Sequence, residues 1–289
     1  MHIAVIGASG VLARNVVPRL IDRGHRITGL VHRPESAALA KAMGAAPVAG
    51  DIFDKASLVQ AIKGAEVVIN LATAVPRPGT PKPDFSQNAR MRREGAAILA
   101  AACQDSGVRR LIQQSIAMGM YSDGAAFSDE TQPLPAVPAN EAVIAMESAV
   151  RGSGLDWCIL RGGGFYGPGT GYDAEWRRLA RDGRLGHPGD GANWVSLIHV
   201  VDMGTAVVAA LDKGAWGETL AVVDDEPVMR RVQFEFIAAM ENAPPPKGTA
   251  DPRPPSFRVA NARLKRALGW APAFPNYRVG LAAAAGTEL

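Results

Sequence analysis

Residues 7–13, Gly-Ala-Ser-Gly-Val-Leu-Ala, have the types and spacing needed to hold phosphate. Gly7 permits a tight turn, Gly10 lets a ligand approach the backbone, and small Ala13 lets a helix pack closely on the strand before it. The apolar run at 2–6 reads as that strand, and the apolar spacing over 11–23 as that helix. A helix start offers unpaired N–H groups and the positive end of a dipole, so the loop fits the pyrophosphate of a dinucleotide. An ordinary glycine-rich turn is the competing reading, and the strand–loop–helix context weighs against it.

The second predicted strand, 26–31, decides which dinucleotide fits. An NAD site wants a carboxylate at its end to accept hydrogen bonds from ribose hydroxyls. The chain offers His32 and Arg33 instead. A guanidinium there can pair bidentately with a 2′-phosphate, so NADP(H) is expected over NAD(H). The plainer alternative is that Arg33 is a surface residue before Pro34.

Further along, Ser115 and Tyr121 flank the end of a predicted strand at 110–115, on the carboxyl edge where doubly wound sheets bind ligands. Tyr121 can give a proton to a carbonyl while hydride arrives, with Ser115 or water sharing the route; its competing role is structural packing. Met118, Tyr166 and Trp194 are candidate substrate contacts, although aromatic residues at such spacing also build cores. Asn140 and Glu141 read as a solvated helix start. His199 and Asp202 read as structural, with Asp202 capping a helix at 203–211. No nucleophile triad and no metal-ligand spacing emerges, so no metal is expected.

These residues need elements to position them. Predicted strands at 2–6, 26–31, 47–49, 66–71, 110–115 and 156–160 alternate with helices at 11–23, 35–43, 58–62, 85–107 and 140–152. That alternation implies an α/β fold, a doubly wound parallel sheet of Rossmann type. A nucleotide domain at 1–165 and a smaller substrate-binding region at 166–289 integrated with it are expected. The proline-rich loop 75–83 and the Gly- and aromatic-rich stretch 162–194 look built to close over a small molecule.

With 47% hydrophobic and 20% charged residues the chain can bury a real core. The net charge is only +3, and the short basic runs at 90–93 and 109–110 read as solvated helix faces, not a nucleic-acid groove. Cys103 and Cys158 stand apart in apolar contexts, as buried thiols in a reducing compartment do. No apolar stretch reaches membrane-span length and a strand starts at His2, so a soluble, cytoplasmic protein without nucleic-acid or membrane partners is expected.

Taken together, "GASGVLA", "GDIFD" at 50–54, "INLAT" at 69–73, "LRGGGFYGPG" at 160–169, "SLIHVVDMG" at 196–204, "GETLAVVDDEP" and the terminal "LGWAP" carry a resemblance over nearly the whole length. The chain resembles the extended and atypical short-chain dehydrogenase/reductases, the NAD(P)-dependent epimerase/dehydratase group. The resemblance implies that Gly7, Ser9, Gly10, Val11 and Leu12 hold the pyrophosphate, with Asp51 and Ile52 beside the adenine. It implies Leu71, Ala72 and Thr73 along the ribose and phosphate, Ser115 near the nicotinamide side, and Gly162, Gly163, Gly164 and Phe165 against the nicotinamide ring. It also implies helix pairing across one sheet face, as in a homodimer.

One departure matters. Family members carry a Tyr and, four residues later, a Lys at the start of the helix after the fifth strand. Aligned on the lead-in at 133–138 and on Glu147, these positions hold Ala139 and Val143. The hydroxyl-bearing position is Ala117, and Met118 and Gly119 replace the dehydratase acids. NADPH-dependent reduction of a small carbonyl-type substrate is the expected function. A non-catalytic NADP-binding redox sensor and a cofactor-retaining isomerase or epimerase are the alternatives.

Overall fold

The computed structural model describes residues 1–285. Six strands occur as the apolar runs predict: β1 His2–Ile6, β2 Arg26–Val31, β3 Ala46–Ala49, β4 Val67–Asn70, β5 Arg110–Ile116 and β6 Asp156–Gly162. A seventh, Glu218–Val222, comes from the C-terminal region and pairs with β6. The sheet order is Glu218–Val222, β6, β5, β4, β1, β2, β3, with every pairing parallel. The order reverses between β1 and β4, where Ile3 is in register with Ile27 on one side and with Val67 on the other. That switch point opens a crevice at the carboxyl edge, directly above the glycine loop. The fold is therefore a doubly wound Rossmann-type α/β sheet.

Helices cover both faces because parallel strands are apolar on both. On one face α1 (Ala13–Asp22) packs against helix Val200–Lys213, around Ile3, Val5, Leu20, Ile112 and Leu160. On the other lie α3 (Lys55–Ala61), α5 (Ala96–Asp105) and α6 (Pro138–Arg151), around Ile6, Leu58, Val68, Leu111 and Ile159. A separate cluster, including Val195, Leu197, Phe234, Ile237 and Tyr277, gathers the C-terminal region.

Two expectations need correction. The single helix expected over 85–107 is divided into α4 (Ser86–Arg90), a π turn at Met91–Gly95, and α5. Asp202 is not a helix cap: helix Val200–Lys213 starts three residues earlier than expected, and His199 caps it through Nδ1, which accepts from Val201 N–H at 3.4 Å. The Asp202 carboxylate instead accepts from Ala273 and Phe274 N–H at 2.9 and 2.8 Å, tying down a distant segment.

Candidate cofactor crevice and active site

Gly7 sits at φ +80°, and a Cβ there would lie 2.8 Å from Cα and N of Ala72. The turn out of β1 thus runs against the end of β4, and only a glycine fits. Gly10 N–H donates to the Gly7 carbonyl at 3.0 Å, closing the loop. Leu12 precedes α1 without a side-chain cap, and Arg14 and Val16 N–H turn back to Gly10 and Leu12. The N–H groups of Val11, Leu12 and Ala13 make no hydrogen bond among the described residues. Donors left free at a helix N-terminus are what a pyrophosphate requires, so the cradle fits a dinucleotide. Gly169, from the loop after β6, comes close to Val11 and Arg14 and folds over this cradle.

Along the adenine side, His32 and Arg33 are exposed at the end of β2, where Arg33 precedes α2 (Pro34–Ala42). Neither side chain has a hydrogen-bond or ion-pair partner among the described residues. Asp51 accepts from Phe53 N–H at 2.9 Å, and Ile52 is buried against Gly95. At the end of β4, Leu71 is buried while Ala72 and Thr73 are progressively more open. Asn88, buried on α4, accepts from Ala74 N–H at 3.0 Å and pins this segment.

The nicotinamide end is built by β5, β6 and α6. Ser115 is buried, and its hydroxyl donates to Glu147 Oε1 at 2.7 Å. Arg161 donates to the same carboxylate through Nε at 2.9 Å and Nη2 at 2.7 Å, and Arg151 Nη2 adds a fourth donor at 2.8 Å. Burial alone would raise the Glu147 pKa, but Arg161, then Ser115 and Arg151, hold it below the usual carboxylate range. The Ser115 hydroxyl is thereby committed to an ion network inside the α6 packing. A cavity of about 420 Å³ along that network, lined in part by Arg151, Arg161 and Arg263, borders the sheet edge, with no glycine-loop residue in its wall.

Tyr121 is half-buried, and its hydroxyl has no hydrogen-bond partner among the described residues. The turn that carries it is fixed by Asn140, whose Nδ2 donates to the carbonyls of Gly119 at 3.2 Å and Pro135 at 3.0 Å. Asn140 is 1% exposed, so the expected solvated helix start holds for Glu141 alone. Ala139 is exposed and Val143 fully buried, and neither carries a proton. Met118 is 43% exposed at the mouth of the crevice.

At the end of β6, Gly162 accepts at its carbonyl from Ala117 N–H at 2.7 Å. A Cβ on Gly163 would stand 2.6 Å from the Ser196 carbonyl, so this crossing is possible only for glycine. Gly164 and Phe165 open the short strand Gly164–Tyr166. Tyr166 is fully buried: its hydroxyl donates to the Asn276 carbonyl at 3.2 Å, its ring meets His199 edge-on at 5.2 Å, and burial pushes its pKa up. Trp194 is half-buried under the Arg258 guanidinium, 4.1 Å from its ring centroid. Residue types alone did not single out Asn88 or the Glu147–Arg161 pair as site supports, because their partners lie 14 residues away in each case. The thiols of Cys103 and Cys158 are buried, with pKa values pushed up to about 12. No cluster among the described residues could hold a metal, and no described helix is long and apolar enough to cross a membrane.

Residues 7–187 match the family described as NAD(P)H-binding. The 3-diazoavenalumate denitrifying reductase of a Streptomyces species is 35% identical, over 97% of this chain and 99% of its own. A 4-hydroxy-2-methyl-3-oxo-4-farnesyl-3,4-dihydroquinoline-1-oxide ketoreductase of Stigmatella aurantiaca is 25% identical, over 80% of this chain and 70% of its own. Among solved structures, the UDP-glucose 4-epimerase of Thermotoga maritima superposes with a TM-score of 0.82 at 22% identity, covering 99% of this chain and 98% of its own. A short-chain dehydrogenase/reductase superfamily protein of Agrobacterium tumefaciens with bound NAD gives 0.79 at 21%, covering 100% and 97%. A dinucleotide cradle, a reductase relative matched end to end and a shared fold lead to one conclusion: the chain belongs to the NAD(P)H-binding family and is an oxidoreductase of the short-chain dehydrogenase/reductase fold.

Proposed function

We propose that the protein is an NADPH-dependent reductase that delivers hydride to a small electron-poor substrate, with little proton donation by the protein. The end-to-end similarity to a denitrifying reductase carries this reading. Arg33, exposed and without a hydrogen-bond or ion-pair partner among the described residues at the end of β2, supports NADPH over NADH. When bound, the dihydronicotinamide supplies a hydride equivalent. The cradle of Val11, Leu12 and Ala13 N–H groups holds the phosphates. Gly162, Gly163 and Gly164 give the chain its close crossing beside the ring, and Phe165 excludes water.

The substrate chemistry follows from what α6 lacks. Reducing a carbonyl consumes one hydride and one proton, and Tyr121, half-buried and without a hydrogen-bond partner among the described residues, is a hydroxyl that can supply that proton at its Oη. Replacing an aryl diazonium group by hydrogen consumes one hydride and releases dinitrogen, with no proton from the protein. Ala139 and Val143, at the expected Tyr and Lys positions, suit the second reaction better. Tyr121 and Met118 then serve as walls, while Ser115 and Tyr166 support the site from beneath.

The test is NADPH consumption with a panel of aryl diazonium salts and activated ketones. Diazonium turnover is expected to survive Tyr121→Phe, while any ketone turnover falls at least about tenfold. Arg33→Gln should weaken NADPH at least about tenfold and leave NADH unchanged. A protein that consumes NADPH with no member of the panel would contradict the reading.

A further inference from the structure

The buried carboxylate Glu147 is surrounded by more positive charge than it can satisfy. It already accepts from Ser115, from two nitrogens of Arg161 and from Arg151. A third guanidinium, Arg92, lies within electrostatic reach of it. Arg92 belongs to the π turn Met91–Gly95, a local widening that recurs at functional sites. Arg93 and Glu94 of this turn are exposed, whereas Arg92 is half-buried. It makes no hydrogen bond and no ion pair among the described residues. Its neighbour Arg90, by contrast, pairs with Glu94 at 2.9 Å and stacks on Phe53.

Its place in the fold says what it faces. Four residues before it, Asn88 is buried and bound to Ala74 at the end of β4. Four residues after it, Ala96 packs in the cluster that contains Ala117 and Val143. Arg92 lies between these two inward anchors, on a turn packed against α6. This segment runs back from the carboxyl edge of the sheet, so Arg92 is nearer that edge than Ala96. That is the side where Ala139 and Val143 leave no charged group of their own. Exposed apolar side chains, Val75, Phe85 and Met118, come from the segments entering the same edge.

We propose that Arg92 anchors a carboxylate of the substrate, which is therefore a small acid with an apolar body; this rests on the reductase reading above. A planar guanidinium with free N–H donors, partly shielded from water, binds a carboxylate bidentately and more strongly than a neutral group. Burial lowers the pKa of Arg92 against the pull of Glu147, consistent with a cation awaiting an anion. Arg92 is a positioning residue in this scheme and transfers no proton.

The experiment uses the NADP⁺-saturated protein, so that cofactor phosphates already occupy their own site. Benzoate and its neutral isostere benzamide are titrated calorimetrically. Benzoate is expected to bind at least about tenfold more tightly. Arg92→Gln should erase that preference while NADP⁺ affinity stays within about twofold, and Arg92→Lys should keep part of it. Equal binding of the two probes, no binding of benzoate, or a preference that persists in Arg92→Gln would overturn the proposal. If Arg92→Gln does not fold, the wild-type comparison and Arg92→Lys decide. NADPH consumption with uncharged electrophiles is scored separately, so loss of the anchor and loss of the reductase reading give different results.

Discussion

A methyl group at position 7 has nowhere to go. It would meet the backbone of Ala72 at 2.8 Å, on a residue held at φ +80°. Gly7→Ala should therefore leave the far-ultraviolet circular dichroism intact and weaken NADPH at least about tenfold, as read by fluorescence titration. Unchanged affinity would mean that the turn tolerates displacement from β4. Single residues were legible in the sequence where their setting is local: the tight turn of the glycine loop is read from seven adjacent positions, and the exposed place of Arg33 from the apolar run that ends before it. Ser115 and Asn140 were not, because what defines them is a partner far along the chain. Glu147 lies 32 residues from Ser115, and Gly119 lies 21 from Asn140. Residue type marks a hydroxyl or an amide as able to do chemistry, and only packing shows that its hydrogen bonds are already committed.

At the scale of elements, α6 is the anchor of the site. It presents Ala139 and Val143 in its first turns and carries Glu147 as the centre of a buried ion network. Glu147→Gln should cost about 3–5 kcal/mol in urea unfolding, since Arg161 would be left buried without its anion. The pH dependence has a defined sign. The folded-state pKa of Glu147 lies below its ordinary value of 4.5, so its contribution is complete above that value and is lost as pH falls through the folded pKa. The variant should lack that acid-side loss, and equal acid sensitivity in both proteins would place it elsewhere. Periodicity found α6 and the six leading strands within a few residues. It missed the π turn, because a five-residue turn leaves the apolar pattern of 85–107 nearly unchanged. It misplaced the start of helix Val200–Lys213, because a histidine caps that helix while the more typical capping residue, Asp202, reaches across to Ala273 and Phe274.

For the whole molecule, the parallel sheet brings the glycine loop, Arg33, Thr73 and Ser115 to its carboxyl edge, and the C-terminal region completes that sheet with Glu218–Val222. The Gly-rich loop after β6 comes down beside Val11 and Arg14, and at Gly171 it meets Pro78 of the proline-rich loop after β4. The two segments expected to close over a small molecule thus touch above the cofactor crevice. Composition and alternation made this architecture legible; what they could not supply was the ordering of charge around Glu147, which depends on α6, the π turn and the two strands β5 and β6 meeting. The central claim is that the protein moves hydride from NADPH to substrate carbon. Its most direct test is turnover of an aryl diazonium salt with C4-deuterated NADPH of each facial label, in ordinary water. One deuterium per oxidised cofactor at the former diazo carbon, from one face only, is the predicted outcome. Product hydrogen drawn from solvent, or no cofactor oxidation, would contradict it.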